Sequence, residues 1–261
     1  MSKKEKVYAL SEEKIASLSK SGIHVRVFDT IDSTNNEAKR MLESGHCGKA
    51  IVAAEAQTGG RGRLGRSFYS PAATGLYFTA VVPPCFPPEC ATLLTPAAAV
   101  AVTRVLERHF ACELKIKWVN DIYKDDKKIC GILAEAVPDM ENGGFAGFAV
   151  GIGINLSTED FPAEIAGIAA SLGAAGADRN AIAAEIAAEL FAFAEKLAAR
   201  EFMPEYRGHS YVVGKKIYFT KGEEKQNAAV LGIDDDGGLM VKLENGDVTT
   251  LRGGEISVRI R

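Results

Sequence analysis

The chain has 261 residues, 47% hydrophobic and 25% charged, a globular balance sufficient for one well-filled domain and a smaller one. Its net charge of -3 gives no general attraction to nucleic acid or anionic lipid, so anion binding requires a local cluster of bases. The charged start MSKKEKVYALSEE is no signal peptide, and five cysteines without a CxxC pair and four histidines without an HExxH set speak against zinc.

In chain order, Ser11 to Lys20 reads as a short polar helix and Ile23 to Phe28 as a strand. Ser33 or Thr34 then caps a helix through Leu42 that Gly45 ends, and Ile51 to Ala56 is a second strand. After a Gly- and Arg-rich loop come a strand at Gly75 to Val82, a Pro-rich loop and a long helix from about Glu89 to Phe110. Within it, the apolar stretch Ala91 to Leu106 is interrupted by Thr92, Thr95, Pro96, Thr103 and Arg104, which fits a buried helix and not a membrane span. Strands follow at Leu114 to Trp118, Ile122 to Lys124, Lys127 to Ala136 (across an Asp125–Asp126 turn) and Phe145 to Leu156, and such short turns imply antiparallel pairing. An Ala-rich helix spans Arg179 to Arg200. Beyond about Ser210 short strands alternate with turns such as DDDGG and ENGD, the pattern of a small antiparallel barrel, which sets a boundary near Arg207 to Tyr211. The fold class expected is therefore α+β: a mixed, largely antiparallel sheet flanked by helices, with a small β-barrel at the C-terminus.

The chemistry concentrates in Gln57 to Ser67, QTGGRGRLGRS, where four glycines and three arginines occupy eleven residues. Glycine lets backbone N–H groups approach phosphate, and guanidinium forks fit phosphate or carboxylate oxygens. Gly60, Gly62 and Gly65 satisfy GxGxxG, but Ser67–Phe68–Tyr69–Ser70–Pro71 follows where a dinucleotide fold needs a helix. The same stretch fits a P-loop except that Arg66 replaces its lysine, and again no helix follows. Both readings are rejected. So many glycines are costly to order, so the loop is expected to be mobile when empty.

Four further segments carry polar groups. Asp32–Ser33–Thr34–Asn35 places hydroxyls and an amide at a helix start, able to bind a neutral polar ring or to cap; alone, capping is the stronger reading. Lys117–Trp118–Val119–Asn120–Asp121 ends a strand, and alone it reads as a turn with Trp118 in the core. Lys128 precedes an apolar run, and Gly151–Ile152–Gly153–Ile154–Asn155 lets a flat ring approach the backbone near a strand end.

In this order, DSTN, QTGGRGRLGR, SPAATGLYFT, KWVNDIY, KKICGILAE and GIGINLS resemble the biotin–protein ligases over roughly Ile31 to Leu156. The short-stranded C-terminal segment resembles the SH3-like barrel these ligases carry. The resemblance implies residues 1–209 as a biotin/ATP-binding catalytic domain, with 1–22 an extension, and 210–261 as the SH3-like domain. It implies ATP-dependent joining of biotin, through biotinyl-5′-AMP, to one lysine of a biotin carboxyl carrier protein or domain. Carried over by position, Ser33, Thr34, Asn35 and Gln57 line the biotin head-group pocket, and Gly131 packs close to biotin. Arg61, Gly62 and Arg63 meet biotin and the activated carboxyl-phosphate, while Arg66 and Lys128 face ATP phosphates, with Lys128 also reaching biotin. Trp118 and Asn120 fall in the nucleotide site, Asn155 lies near the adenine, and Asp121 orients or deprotonates the incoming lysine. Arg63, Lys128 and Asp121 are the catalytic candidates. Mg²⁺ is expected mainly on the ATP phosphates.

Two departures from the family pattern stand out: Val119 in place of a usual proline, expected to loosen the turn, and Cys130 in place of glycine or alanine, expected near the ligand wall. The roughly thirty residues before DSTN are too few for a helix-turn-helix domain, so the expected form is monofunctional, cytoplasmic and without nucleic-acid or membrane partners. Homodimerisation is left open. The nearest alternative is a lipoate or other acyl–protein ligase of related architecture, and a non-catalytic adenylate-binding module is a third reading.

Overall fold

The computed structural model describes residues 9–221, 224–253 and 257–260. The chain runs α1 (Glu12–Leu18), β1 (His24–Ile31), α2 (Thr34–Glu43), β2 (Ala50–Gln57), β3 (Gly75–Val82) and α3 (Leu94–Phe110). Next come β4 (Lys115–Lys117), β5 (Asp121–Lys124), β6 (Lys127–Pro138), β7 (Phe145–Asn155), α4 (Ala163–Ala166), α5 (Arg179–Glu195) and α6 (Met203–Gly208). The last strands are β8 (Lys216–Lys221), β9 (Glu224–Ile233), β10 (Leu239–Leu243), β11 (Val248–Leu251) and β12 (Ser257–Ile260).

Strands β1 to β7 form one sheet in the order β1-β2-β3-β7-β6-β5-β4. Only β1 and β2 run parallel; the others pair antiparallel, and for β4–β5, β5–β6 and β6–β7 the short connecting turns require it. The sheet is thus mixed and largely antiparallel, as expected.

Side chains alternate across a strand, so the register fixes what each face carries. Ile51, Ala53, Leu76, Phe78, Ala80, Ile152 and Ile154 point to one face, in the core shared with α3 and α5. Ala50, Val52, Val81 and Ala149 point to the other, where Ala38, Met41 and Leu42 of α2 cover only part of it. The uncovered remainder of the α2 face holds the candidate site.

Helix α3 is apolar nearly all round because it is enclosed by the sheet and α5. By length and composition Pro88–Phe110 is apolar enough to cross a membrane, but it forms the core. The single long helix expected from Glu89 is instead a 3₁₀ turn, Pro88–Leu93, followed by α3. Pro96 explains the break, since a proline without an N–H is tolerated only in the first turn of an α-helix. The helix expected to reach Arg200 stops at Glu195, and Arg200 turns left-handed at φ 58° before α6 begins next to Pro204.

Strands β8 to β12 form a second, antiparallel sheet in the order β11-β10-β9-β8-β12, the short-stranded segment expected beyond Ser210. Among the described residues no rung joins its two outer strands. Its Asp234–Gly238 turn returns to the first sheet: the Trp118 indole N–H donates to the Gly237 carbonyl at 2.8 Å.

Candidate active site

The uncovered face is a trough because glycines replace side chains on it. Thr79, Gly151 and Leu133 share one rung across β3, β7 and β6, and Tyr77, Gly153, Gly131 and Asp121 share the next. The intervening Ile152 and Ile154 fill the core below. A Cβ on Gly151 would collide with the Asn35 carboxamide, and one on Gly153 would meet the Phe68 ring at 2.5 Å. GIGIN therefore encodes both a core face and an open floor.

At one end the trough closes into a neutral polar socket lined by Ser33, Thr34, Asn35, Gln57 and the three glycines. Gln57 Oε1 accepts from Thr34 N at 2.8 Å and from Thr34 Oγ1 at 3.1 Å, and Gln57 Nε2 donates to Ser70 Oγ at 2.9 Å. Thr79 Oγ1 lies 2.9 Å from Thr34 Oγ1 and 2.7 Å from Asn35 Oδ1. Ser33 occupies the N-cap position of α2, yet its buried hydroxyl makes no capping hydrogen bond. The capping reading of DSTN is therefore incomplete, and the hydroxyl remains available in the socket. Phe68 and Arg61 narrow the socket to a cavity of about 20 Å³.

The GRGRLGR loop folds into a small hairpin rather than a structureless turn. Phe68 N donates to Gly60 O at 2.8 Å, Gly62 N to Arg66 O at 2.7 Å, and Arg61 pairs with Ser67 in a β-bridge. A Cβ at Gly60 would strike the Phe68 carbonyl, so this crossing requires glycine. The bases are thereby aimed at protein acceptors: Arg61 at Glu135 (3.1 Å) and Asn36 (3.0 Å), Arg63 at Asn120 (3.1 Å). Arg66 is exposed. Burial pulls the Arg63 pKa below the usual arginine value, while the Asp121 carboxylate pulls the other way.

Beside the socket a cavity of about 110 Å³ is lined by the loop together with Trp118, Asn120, Asp121, Lys128 and Gly131. Lys128 Nζ stands 2.6 Å from Asp121 Oδ1, an ion pair not aligned as a hydrogen bond. Beyond it opens a cavity of about 260 Å³ walled by Phe68, Tyr69, Tyr123, Phe161 and Ile165, with Arg66, Lys117, Lys128, Asp121 and Asn155 among its polar groups. Asn155 is 4% exposed and donates to Ala170 O at 3.1 Å, but its buried Oδ1 has no partner among the described residues. A buried acceptor left unsatisfied costs about 1–3 kcal/mol, which a ligand N–H would recover.

All fourteen candidate site residues line this trough, with Trp118 different from expectation in detail, and the two departures from the family pattern, Cys130 and Val119, also differ from expectation. Trp118 is 5% exposed and its indole N–H is spent on Gly237, so it braces the second sheet and offers the cavity only part of its surface. Cys130 faces the core, not the ligand wall, because it alternates with Gly131; burial pushes its thiol pKa far up. Nor is the turn at Val119 loose. Val119 O accepts from the Tyr206 hydroxyl at 3.0 Å, and Asn120 exchanges bonds with Ile132 through its carbonyl (3.0 Å) and Nδ2 (2.9 Å). The Trp118–Val119 peptide is cis.

Sequence reasoning missed Phe68, Ser70, Thr79 and the placement of Glu135. Phe68 borders all three cavities and divides the socket from the outer one. The period-two alternation that places Thr79 beside Gly151 was the available signal, but strand pairing had to be known first.

Known families share this arrangement. Residues 27–155 match the model of the Biotin/lipoate A/B protein ligase family, and residues 212–259 match that of the Biotin protein ligase C terminal domain. The biotin–[acetyl-CoA-carboxylase] ligase of Paracoccus denitrificans is 33% identical over 224 residues, covering 81% of this chain and 91% of that protein. The bifunctional ligase/repressor BirA of Salmonella typhimurium is 30% identical over 264 residues, 98% of this chain and 80% of the relative. A solved structure of the Aquifex aeolicus biotin protein ligase in complex with biotin and ATP superposes with a TM-score of 0.75 at 28% identity, covering 91% and 99% of the two chains. The chain belongs to the biotin/lipoate A/B protein ligase family, within its biotin protein ligase branch.

Proposed function

We propose that the protein joins biotin to ATP as biotinyl-5′-AMP and then transfers the biotinyl group to one lysine of a biotin carboxyl carrier protein or domain. The observation that carries this reading is the continuity of the trough. A neutral polar socket and a larger aromatic-walled cavity each adjoin the central cavity lined by Arg61, Arg63 and Lys128, with Phe68 standing between them. The ureido ring belongs in the socket with Ser33, Thr34, Asn35 and Gln57, over the floor at Gly131. The adenosine belongs in the outer cavity near Asn155, with the phosphates toward Arg66 and Lys128. At about 20 Å³ the socket is far below the ~300 Å³ of common ligand sites, so Phe68, which divides it from the outer cavity, shifts as biotin enters.

The carboxylate and the α-phosphate repel each other, and Arg61, Gly62 N–H, Arg63 and Lys128 offset that repulsion where they meet. A carboxylate oxygen bonds to the α-phosphorus and pyrophosphate leaves. The carrier lysine nitrogen then attacks the acyl carbon, AMP leaves, and the ammonium proton passes to Asp121 or to solvent. Lys128 pairs with Asp121; engaging phosphate would release that carboxylate to orient the incoming amine. Mg²⁺ is proposed to arrive on the nucleotide phosphates. Bound there, Mg²⁺ would neutralise phosphate charge. Trp118 and Asn120 act by bracing the turn and holding Arg63.

This reading divides the chain into a catalytic part, 1–209, with 1–22 an extension, and an SH3-like part, 210–261, working in the cytoplasm. A lipoate-type substrate would set an apolar dithiolane against Ser33, Asn35 and Gln57, leaving polar groups unpaired, so biotin is the better fit. The test is incubation with ATP, Mg²⁺, labelled biotin and a carrier domain, read by intact mass of the carrier. One biotinyl group on one lysine is expected; an unmodified carrier refutes the proposal.

A further inference from the structure

We infer that Glu135 is a positioning residue that fixes which end of the Asn35 carboxamide faces the bound head group, and so sets the donor–acceptor polarity of the socket. The inference rests on biotin being the occupant.

Glu135 lies on β6, one alternation beyond Leu133, with its carboxylate on the α2 face. Its Oε2 accepts from Asn35 Nδ2 at 3.0 Å, and its Oε1 accepts from Lys39 Nζ at 3.2 Å and forms an ion pair with Arg61 Nη2 at 3.1 Å. Asn35 Nδ2 also donates to the Leu133 carbonyl at 3.1 Å, so both amide hydrogens are committed. An ionised carboxylate and a carbonyl are acceptors only. Together they determine the amide orientation, an assignment otherwise decided by weak preferences. Asn35 Oδ1 must then face Thr79 and the Gly151 floor, where it can accept a hydrogen bond from a ligand N–H.

The chemistry of the occupant makes this consequential. A cyclic urea carries two N–H donors and one carbonyl acceptor. The socket needs at least one acceptor aimed at the ring, and Gln57 Oε1 already accepts twice from Thr34. Reversing Asn35 would present an NH₂ group to a ligand N–H, converting attraction into a donor–donor clash. Lys39, one helical turn after Asn35, and Arg61 hold the carboxylate in place through ion pairs. The same contact anchors Arg61 at the socket mouth, so Glu135 joins the selective end of the trough to its cationic loop.

A carboxylate that merely stabilised the fold would, when removed, weaken every ligand alike. An orienting carboxylate affects only ligands that read the amide. The experiment measures binding of biotin and of the two ring carbamates in which one or the other ureido N–H is replaced by oxygen, by calorimetry on the full chain. The wild type, Glu135→Ala, Asn35→Ala and the double variant are compared. Wild-type protein should disfavour one carbamate, and Glu135→Ala should weaken biotin about tenfold while erasing most of that discrimination. In the double variant, loss of Glu135 should add less than about twofold to the effect of Asn35→Ala. Equal weakening of all three ligands, or multiplicative losses in the double variant, overturns the assignment. Should Glu135→Ala not fold, Glu135→Gln keeps the shape but not the obligatory acceptor, and discrimination equal to wild type would overturn it equally. Wild-type protein that binds no biotin overturns the occupant and this inference together, whereas tight binding with unchanged discrimination overturns only the role of Glu135.

Discussion

The socket around Asn35 and the cavity around Lys128 occupy neighbouring rungs of one sheet face but hold themselves together differently. In the socket, Thr34, Gln57, Ser70, Thr79 and Asn35 are neutral, mostly buried, and bonded to one another at 2.7–3.1 Å. In the cavity the polar groups are charged and partly exposed, and the pairs Lys128–Asp121 and Arg63–Asn120 cross between separate segments. A neutral network is preorganised and need not change when a ring enters. Ion pairs at a half-exposed site are weak enough to be exchanged for phosphate. The contrast separates recognition from reaction: the socket chooses the acid, and the cavity trades its internal partners for the charge that develops during activation.

Substitutions can break this separation, and the largest effect is expected from Lys128→Ala. Its loss should slow adenylate formation about 10²- to 10³-fold in single-turnover assays while biotin affinity changes only a few-fold. Equal losses in rate and affinity would place Lys128 on the recognition side. Arg63→Ala should release adenylate about tenfold or more faster, raising indiscriminate labelling of lysines on a bystander protein. Unchanged retention and acceptor selectivity would remove the loop from the role of keeping the intermediate dry.

On the socket side, Gln57→Ala leaves Thr34 N and Ser70 Oγ without their partner and should weaken biotin about tenfold, with the rate at saturating biotin close to wild type. A large loss in that rate would blur the boundary between the two regions. A smaller effect is expected beneath the cavity. Tyr206→Phe strands the buried Val119 carbonyl and should lower unfolding free energy by about 1 kcal/mol, read from denaturant midpoints. Least disturbed of all should be Cys130: burial and its raised pKa predict no alkylation of the native protein at pH 8, whereas exposed Cys47 and Cys85 are modified, as peptide mass mapping would show.

The two regions were also unequally legible in the sequence. The cavity's arginine-rich glycine loop announces itself, whereas Lys128 and Asp121, which alone read as a strand-start lysine and a turn residue, were singled out by the family resemblance. The strands bearing them were readable from alternation and from the Asp125–Asp126 turn. The socket was half legible: Ser33, Asn35 and Gln57 were found, but Thr79 resembles any strand threonine until the β3–β7 register sets it against Gly151. Cys130 was misplaced because a neighbour of Gly131 in sequence is its opposite across the sheet. The short α6 went unseen because six residues carry too little periodicity, although Tyr206 pins the turn at Val119.

The account turns on the cavity's bases bringing a carboxylate and a nucleotide phosphate together, and pyrophosphate release tests that most directly. Purified protein given ATP and Mg²⁺ should release pyrophosphate only when biotin is added, up to about one equivalent per protein while no carrier is present. Biotin-independent release, or none with all three components, would contradict it.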